Sequence, residues 1–150
     1  MTFEDLPPDW PSRPVTDPDI TADLLDLVVR DADRVEGALC ILLCGEQGQL
    51  LQPMVFPRPP NRMSRDGRAR LFEVLEHHRN GSGFCSGVLI ALAREKGSFI
   101  TDGDRAWHEA AVTACRRAGL NLLGVWVVTR HVIRQVPDLA DLAGLGLETA

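Results

Sequence analysis

The chain has 150 residues, of which 45% are hydrophobic and 25% are charged, and its formal net charge is −5 at pH 7. This length suits one domain with a contiguous core, and the composition is typical of a globular protein. The negative charge argues against general nucleic-acid binding, and no apolar run reaches the roughly 18 residues of a membrane span, so we expect neither nucleic acid nor membrane as a partner.

The beginning of the chain is rich in acids and prolines. MTFEDLPPDW carries acids where a secretion signal has a basic start and an apolar run, so we expect a cytoplasmic protein. Five prolines fall between residues 7 and 18, and proline removes backbone donors and disfavours helix at the residue before it. We therefore predict that residues 1–16 form an arm, in which Trp10 docks on the domain itself or on a partner.

A helix is predicted from near Asp17 to Gly37, at the start of an α/β domain over residues 17–137. Pro18 suits a first-turn position, and Gly37 can end the helix. Apolar residues recur between them at helical spacing, namely Ile20, Leu24, Leu27, Val28 and Val35.

A hairpin should follow this helix. ALCILLC (38–44) and QLLQPMVF (49–56) are apolar runs separated by the turn-forming GEQG. The first run is apolar at consecutive positions, so both of its faces should be buried. Pro53 places the second run at a sheet edge or at a bulge.

A second helix is predicted after the linker PRPPNRMS (57–64). Ser64 can cap it, and Asn80-Gly81 can end it. Its shared face should hold Ala69, Phe72, Leu75 and His78.

Five arginines crowd the linker and the start of this helix: Arg58, Arg62, Arg65, Arg68 and Arg70. One interpretation is a solvated segment that faces the acidic residues 1–36, which carry ten acids against three arginines. The other is a surface for a partner.

The second half of the chain alternates strands and helices. It is predicted to contain a strand at 88–93, a helix at about 102–118 ended by Gly119, and strands at 120–129 and 132–136 around a turn at Arg130-His131. Helices between apolar strands favour parallel crossovers. We therefore predict a single-domain α/β fold, a mixed sheet flanked by helices in the order α-β-β-α-β-α-β-β. The tail, residues 138–150, has room for a last helical turn.

The stretch ITDGDRAWH opens the last of these helices. Thr101 and Asp104 have the spacing of a capping box, and Asp102 and Asp104 favour the positive end of the helix dipole. Trp107 should turn inward. His108 lies one turn after Asp104, which suits either a surface pair or two metal ligands.

Residues 84–136 combine the strand VLIALA, the loop REKGSF, the helix start ITDGDRAW and the downstream AAVTACRRAGLNLLGVWVVT. This pattern resembles the RadC-type branch of the JAB (JAMM) fold, in which a strand delivers H-x-H, a loop follows and S-x-x-D opens the next helix. Thr101-x-x-Asp104 matches S-x-x-D, and the later segment is similar to the family's helix and GI-x-LLD-type strand. The chain is also similar to uncharacterised proteins of high-GC bacteria that share the hairpin, the Pro-rich linker and the D-R-A-W helix start.

The resemblance implies a metal site with missing ligands. In the family the two histidines and the aspartate bind zinc, and an upstream glutamate activates the metal-bound water. Here Ala93-Arg94-Glu95 stands in place of H-x-H, and the loop before Thr101 is two residues shorter. Asp104 with Glu95 offers at most two of the three protein ligands that catalytic zinc normally keeps. An ion pair from Arg94 to these carboxylates is the simpler arrangement, so the resemblance implies a retained fold without the hydrolase.

The four cysteines form no C-x-x-C pair, and we interpret Cys40, Cys44, Cys85 and Cys115 as small core residues. The alternative for Cys85 is a nucleophile with His77, His78 or His108 as its base, although a reactive thiol needs an activating environment.

These observations favour a non-catalytic protein-interaction or scaffold protein without a cofactor, bound to another protein or to itself. Its candidate surfaces are the Trp10 arm, the arginine segment, and a cleft of Arg94, Glu95, Thr101, Asp102, Asp104, Trp107 and His108. One alternative is a metal-dependent hydrolase with ligands Glu95, Asp104 and His108. Another is a binder of small anions or nucleotides through Arg94 and the helix amides near 101–104.

Overall fold

A computed structural model describes residues 3–57, 63–82, 85–97 and 99–137. Five helices are α1 (Thr21–Val28), α2 (Asp31–Glu36), α3 (Arg65–Leu71), α4 (Glu73–Ser82) and α5 (Asp102–Ala118). Five strands are β1 (Ala38–Cys44), β2 (Leu50–Pro57), β3 (Gly87–Ala93), β4 (Asn121–Val128) and β5 (Ile133–Gln135). None of these helices is long and apolar enough to cross a membrane.

The strands form one mixed sheet in the order β2-β1-β3-β4-β5, which confirms the predicted class of fold. β1 is antiparallel to both β2 and β3, and β5 is antiparallel to β4. β3 and β4 are parallel and α5 connects them, as the helix between two apolar strands predicted. Strand β2 lies at the edge, where Pro53 cannot interrupt a central ladder.

The core has two layers because β1 is covered on both faces. Leu39, Ile41 and Leu43 pack with residues of α4 and α5, whereas Cys40 and Leu42 pack with residues of α1. All seven residues of β1 are buried, as its continuous apolar run predicted. The acidic α1 and the arginines of α3 therefore lie on opposite faces of the sheet. The interpretation that the arginine segment faces residues 1–36 is wrong for Arg65, Arg68 and Arg70; Arg58 and Arg62 lie outside the described residues.

The predicted helix from Asp17 to Gly37 is wrong in its middle, where the chain leaves helical geometry at Val29 and Arg30. Arg34 causes part of this break: its Nη2 donates to the Val29 carbonyl at 2.9 Å and to the Asp26 carboxylate at 3.0 Å. The Asp33 carboxylate accepts from the Arg30 N–H at 3.1 Å and so begins a new helix.

The split also changes which apolar residues of the first helical segment are buried. Leu24 is buried, whereas Leu27 and Val35 are 39% and 52% exposed, so the single apolar stripe predicted for this segment is wrong.

The second predicted helix is also two helices, because the backbone at Phe72 (φ −81°, ψ −4°) is a turn. Ser64 caps α3 as predicted, and its Oγ accepts from the Gly67 N–H at 3.0 Å. Phe72 and Leu75 are fully buried, but Ala69 is exposed and does not share their face. Helix α4 continues through Asn80-Gly81 to Ser82. The His78 side chain lies outside the described part of the chain, and so do residues 138–150.

The arm packs against the domain over its described residues. Two 3-10 turns, Phe3–Asp5 and Trp10–Ser12, replace extended chain. Trp10 is half-buried against the α1 side of the core, and Val15 is buried with its N–H donating to the Gly48 carbonyl at 2.8 Å.

Candidate functional site

The cleft proposed from the sequence lies where β3 ends and α5 begins. Ala93, the last residue of β3, is paired with Ala38 of β1, and the Arg94 N–H donates to the Val128 carbonyl at the end of β4 at 3.0 Å. The carboxyl ends of the parallel strands β3 and β4 therefore meet here. Open α/β sheets commonly place binding sites outside such strand ends.

Thr101, the residue before α5, and Asp104 in its first turn form the predicted capping box. The Thr101 Oγ1 accepts from the Asp104 N–H at 3.1 Å, and the Asp104 Oδ2 accepts from the Thr101 N–H at 2.8 Å. Only 4% of Asp104 is exposed. The capping box therefore orients the Asp104 carboxylate without help from residues distant in the sequence.

Arg94 reaches this carboxylate from the end of β3. Its Nη1 lies 2.5 Å from the Asp104 Oδ1, which confirms the predicted ion pair. Its Nε donates to the Gly97 carbonyl at 3.0 Å, and its Nη2 donates to the Phe99 carbonyl at 2.9 Å. We call this set, Arg94 with its acceptors on Gly97, Phe99 and Asp104, the Arg94 clamp.

The hydrogen bonds of the Arg94 clamp use the polar groups that would bind a metal ion or an anion at this site. Each of the three guanidinium nitrogens of Arg94 has an acceptor within the chain, and each oxygen of the Asp104 carboxylate has a donor. A cation at Asp104 would have to displace Arg94, and an anion at Arg94 would be limited to two of the five N–H donors unless it displaced the carbonyls. Because the guanidinium neutralises a buried carboxylate, either change is costly.

The other predicted site residues do not join the clamp. Glu95 is exposed, and Asp102 is an exposed residue that pairs with Arg105 at 3.1 Å. His108 is half-buried and lines two cavities, one between α5 and β4 and one between α5 and the helices α3 and α4. Within the described ranges, no group of three or more His, Cys, Asp or Glu side chains could hold a metal ion, so Glu95, Asp104 and His108 are not brought together as ligands.

Trp107 is a core residue, as predicted. It is 7% exposed, and its ring meets Phe72 edge-on with 5.8 Å between centroids. The Arg68 guanidinium carbon lies 6.0 Å from the Trp107 ring centroid, at the outer limit of a cation–π contact. Arg68 therefore supports packing, while Arg65 and Arg70 are exposed.

A groove that sequence reasoning missed runs along α5. Its volume is about 710 Å³, and Phe72, Ala106 and Ala110 are among its apolar lining residues. Its charged residues have both signs: Arg65, Arg68, Arg105, Arg117, Asp66, Glu73, Glu76 and Glu109. No local signal could reveal this groove, because it depends on how α3 and α4 pack beside α5.

The four cysteines are buried, as predicted for core residues. Burial raises the pKa of Cys40, Cys44 and Cys115 to about 12. Cys85 is 2% exposed, and its thiol donates to the Gly87 carbonyl at 3.5 Å. Buried thiols in apolar surroundings are poor nucleophiles, which disfavours the alternative assigned to Cys85.

Sequence reasoning also missed Phe99. It is 79% exposed, the largest exposed fraction among the large apolar side chains of the described residues. Its carbonyl is nevertheless held by the Arg94 clamp. The sequence did contain a signal for this exposed ring, because Phe99 directly follows the polar segment REKGS.

Comparison with models of known protein families and with curated proteins gives no match for this chain. The resemblance to the RadC-type JAB fold therefore remains a hypothesis based on its short motifs.

Proposed function

We propose that this chain is a non-catalytic protein-interaction domain whose contact surface is the loop between β3 and α5, described at residues 94–97, 99 and 100. The Arg94 clamp is the observation that carries the proposal. It uses both oxygens of the Asp104 carboxylate and three of the five N–H donors of Arg94, and it holds the backbone beside the exposed Phe99.

The Arg94 clamp disfavours catalysis because it uses the atoms that would bind a metal ion. Catalytic zinc normally has three protein ligands and one open position, whereas the Asp104 carboxylate is already neutralised by Arg94 at 2.5 Å. An anion or nucleotide site at Arg94 would compete with three internal acceptors. Both alternatives from the sequence are therefore less favoured than an interaction domain.

The exposed ring of Phe99 favours contact with a protein. Aromatic side chains dominate binding energy at many protein interfaces. A loop that is already held by hydrogen bonds loses less conformational freedom on binding than an unrestrained one. The clamp on Gly97 and Phe99 thus suits presentation of the ring to a partner.

The resemblance to the JAB fold supplies a further part of the proposal. The end of β3, the loop and the start of α5 have the order expected for the family's metal site, with Ala93 and Glu95 at the places of the missing histidines and Arg94 between them. We propose that Arg94 substitutes for the metal as the positive charge beside Asp104. A cytoplasmic location is part of this proposal.

Two experiments test this function. The first is elemental analysis and zinc titration of the purified protein, where we expect no stoichiometric zinc; one equivalent that disappears in Asp104→Ala would contradict the proposal. The second introduces a photo-crosslinking phenylalanine analogue at position 99 in living cells, with position 51 as control because Leu51 is also exposed but lies on β2. We expect a defined protein adduct from position 99 only. Equal adducts from both positions, or none from 99, would contradict the interaction surface.

A further inference from the structure

We propose that the partner at this surface is a second copy of the same chain, bound face to face about a twofold axis. This inference rests on the proposed function and names its partner. It starts from two exposed apolar side chains, Val35 and Phe99, which are 52% and 79% exposed.

Strand register brings these two residues to the same end of the sheet. Val35 lies three residues before Ala38, the first residue of β1, and Ala38 is paired with Ala93 at the end of β3. The Cβ position of Gly37 lies 3.8 Å from the Ala93 carbonyl oxygen, so the end of α2 is adjacent to the start of the clamped loop. We call this end of the molecule, with Val35, Phe99 and the exposed charges around them, the end surface.

The charges of the end surface have both signs. Glu95 is an exposed acid, and Lys96 is an exposed base. Arg130 is a second exposed base, in the turn after β4, whose last residue accepts from the Arg94 N–H. A twofold contact joins a surface to itself, so it requires apolar groups that can meet each other and charges of both signs that can pair across the axis. The end surface has both.

Other exposed apolar residues are less suited to pairing with a second copy. Leu27 lies on α1, within residues 1–36, which carry ten acids against three arginines. Two such faces would repel each other. Leu51 lies on the edge strand β2, where Pro53 removes a backbone donor that strand-to-strand pairing would use. Charge complementarity therefore selects the end surface.

In the proposed dimer, Phe99 of each copy packs near Val35 of the other, and Glu95 faces Lys96 across the axis. Sedimentation equilibrium over micromolar to millimolar protein measures the association. We expect a concentration-dependent dimer that Phe99→Ser weakens about tenfold or more. Leu51→Ser is the matched control and should leave the dimerisation constant unchanged. Both positions are exposed, so both variants should fold.

A charge exchange tests whether Glu95 of one copy faces Lys96 of the other. Glu95→Lys alone and Lys96→Glu alone should each weaken the dimer, because each creates a like-charged pair across the axis. An equimolar mixture of the two variants should restore association, since every lysine then faces a glutamate. Glu46→Lys, in the exposed turn at the opposite end of the sheet, is the control and should have no effect.

The outcomes separate this inference from the proposed function. A wild-type chain that stays monomeric at all concentrations would overturn the twofold dimer. So would a dimerisation constant that neither Phe99→Ser nor the charge exchange changes. A crosslinked adduct from position 99 to a different protein would then still support the interaction domain. Loss of both the dimer and any adduct would overturn both.

Discussion

Arg94 and Asp104 are ten residues apart in the sequence, and the Arg94 Nη1 lies 2.5 Å from the Asp104 Oδ1. This contact joins the end of a central strand to the first turn of the longest helix. The Asp104 side chain is 5% exposed and that of Arg94 is 26% exposed, so the pair is shielded from water much more than a surface ion pair. This pair has two roles, because it fills the candidate metal position and it fixes the loop beside Phe99.

Removing the buried carboxylate should destabilise the fold. We expect Asp104→Ala to lower the free energy of unfolding by about 3 to 5 kcal/mol, because it leaves the Arg94 charge without its partner and also removes the acceptor of the Thr101 N–H in the capping box. Urea denaturation measures this loss. Asp102→Ala is the matched control, since Asp102 occupies the same helical turn and its pair with Arg105 is exposed. Equal losses for the two variants would contradict a buried pair.

The break between α1 and α2 gives a second test. Arg34 is 5% exposed and donates to the carbonyl of Val29, which is itself buried. Arg34→Met keeps much of the side-chain volume but removes these donors, so we expect a loss of about 2 to 4 kcal/mol in unfolding free energy. Arg30→Met is the control, because the Arg30 side chain is 74% exposed. If Arg34→Met were neutral, the Arg34 contacts would not be what separates the two helices.

The failure to predict this break has a physical reason. The apolar spacing from Ile20 to Val28 correctly indicated α1, because that pattern is local. The end of α1 depends on a guanidinium from a later turn that reaches back to Val29, and such a contact has no signature in spacing. The turn at Phe72 is similar, since its ring is placed by packing against Trp107. Tertiary contacts overrode helical propensity at both points.

Two glycines should respond to alanine in opposite directions. Gly124 has a φ of +149°, and a Cβ there would lie 3.2 Å from the Trp126 ring nitrogen and from the Gln135 amide nitrogen. We expect Gly124→Ala to cost about 1 to 3 kcal/mol of stability.

Gly103, in the first turn of α5, is the glycine to compare with Gly124. A Cβ at Gly103 would meet only the Thr101 Oγ1 at an ordinary 3.6 Å. Gly103→Ala should therefore stabilise the protein by about 0.5 to 1 kcal/mol, mainly by restricting the unfolded chain. Thermal or urea unfolding of both variants measures the difference. A neutral or stabilising Gly124→Ala would show that the strand relaxes around the methyl group.

The buried thiols predict how stability changes at alkaline pH. Burial raises the pKa of Cys40 from its ordinary 9.0 to about 12, and that of Cys44 and Cys115 likewise. The unfolded chain therefore loses these protons first. The stability is fully present below pH 9 and is lost as pH rises from 9 towards about 12, by up to about 1.4 kcal/mol per pH unit for each thiol.

Cys40→Ala is the variant that tests this dependence. Under reducing conditions, its unfolding free energy should fall less steeply with pH above 9 than that of the wild type. The reason is that one of the three thiols with a raised pKa is missing. An identical slope would mean that Cys40 ionises equally easily in the folded and unfolded chains.

Part of the candidate site could be predicted from the sequence, and part could not. The cap formed by Thr101 and Asp104 follows from spacing alone, and the Arg94 ion pair followed from comparing H-x-H with Ala93-Arg94-Glu95. The position of Phe99 relative to Val35 did not follow, because it depends on the pairing of β1 with β3. Register between strands that are distant in sequence is not encoded in either strand by itself.

The backbone order parameter of Phe99 from NMR relaxation, measured in the wild type and in Arg94→Gln, shows directly whether the Arg94 clamp holds the loop. If the Arg94 clamp holds the loop, the wild-type value should be near about 0.85, typical of rigid backbone, and should fall below about 0.6 in the variant. Residues of β1 should keep their values in both proteins. A Phe99 amide that is already mobile in the wild type, or unchanged by Arg94→Gln, would contradict the clamp and the interaction surface built on it.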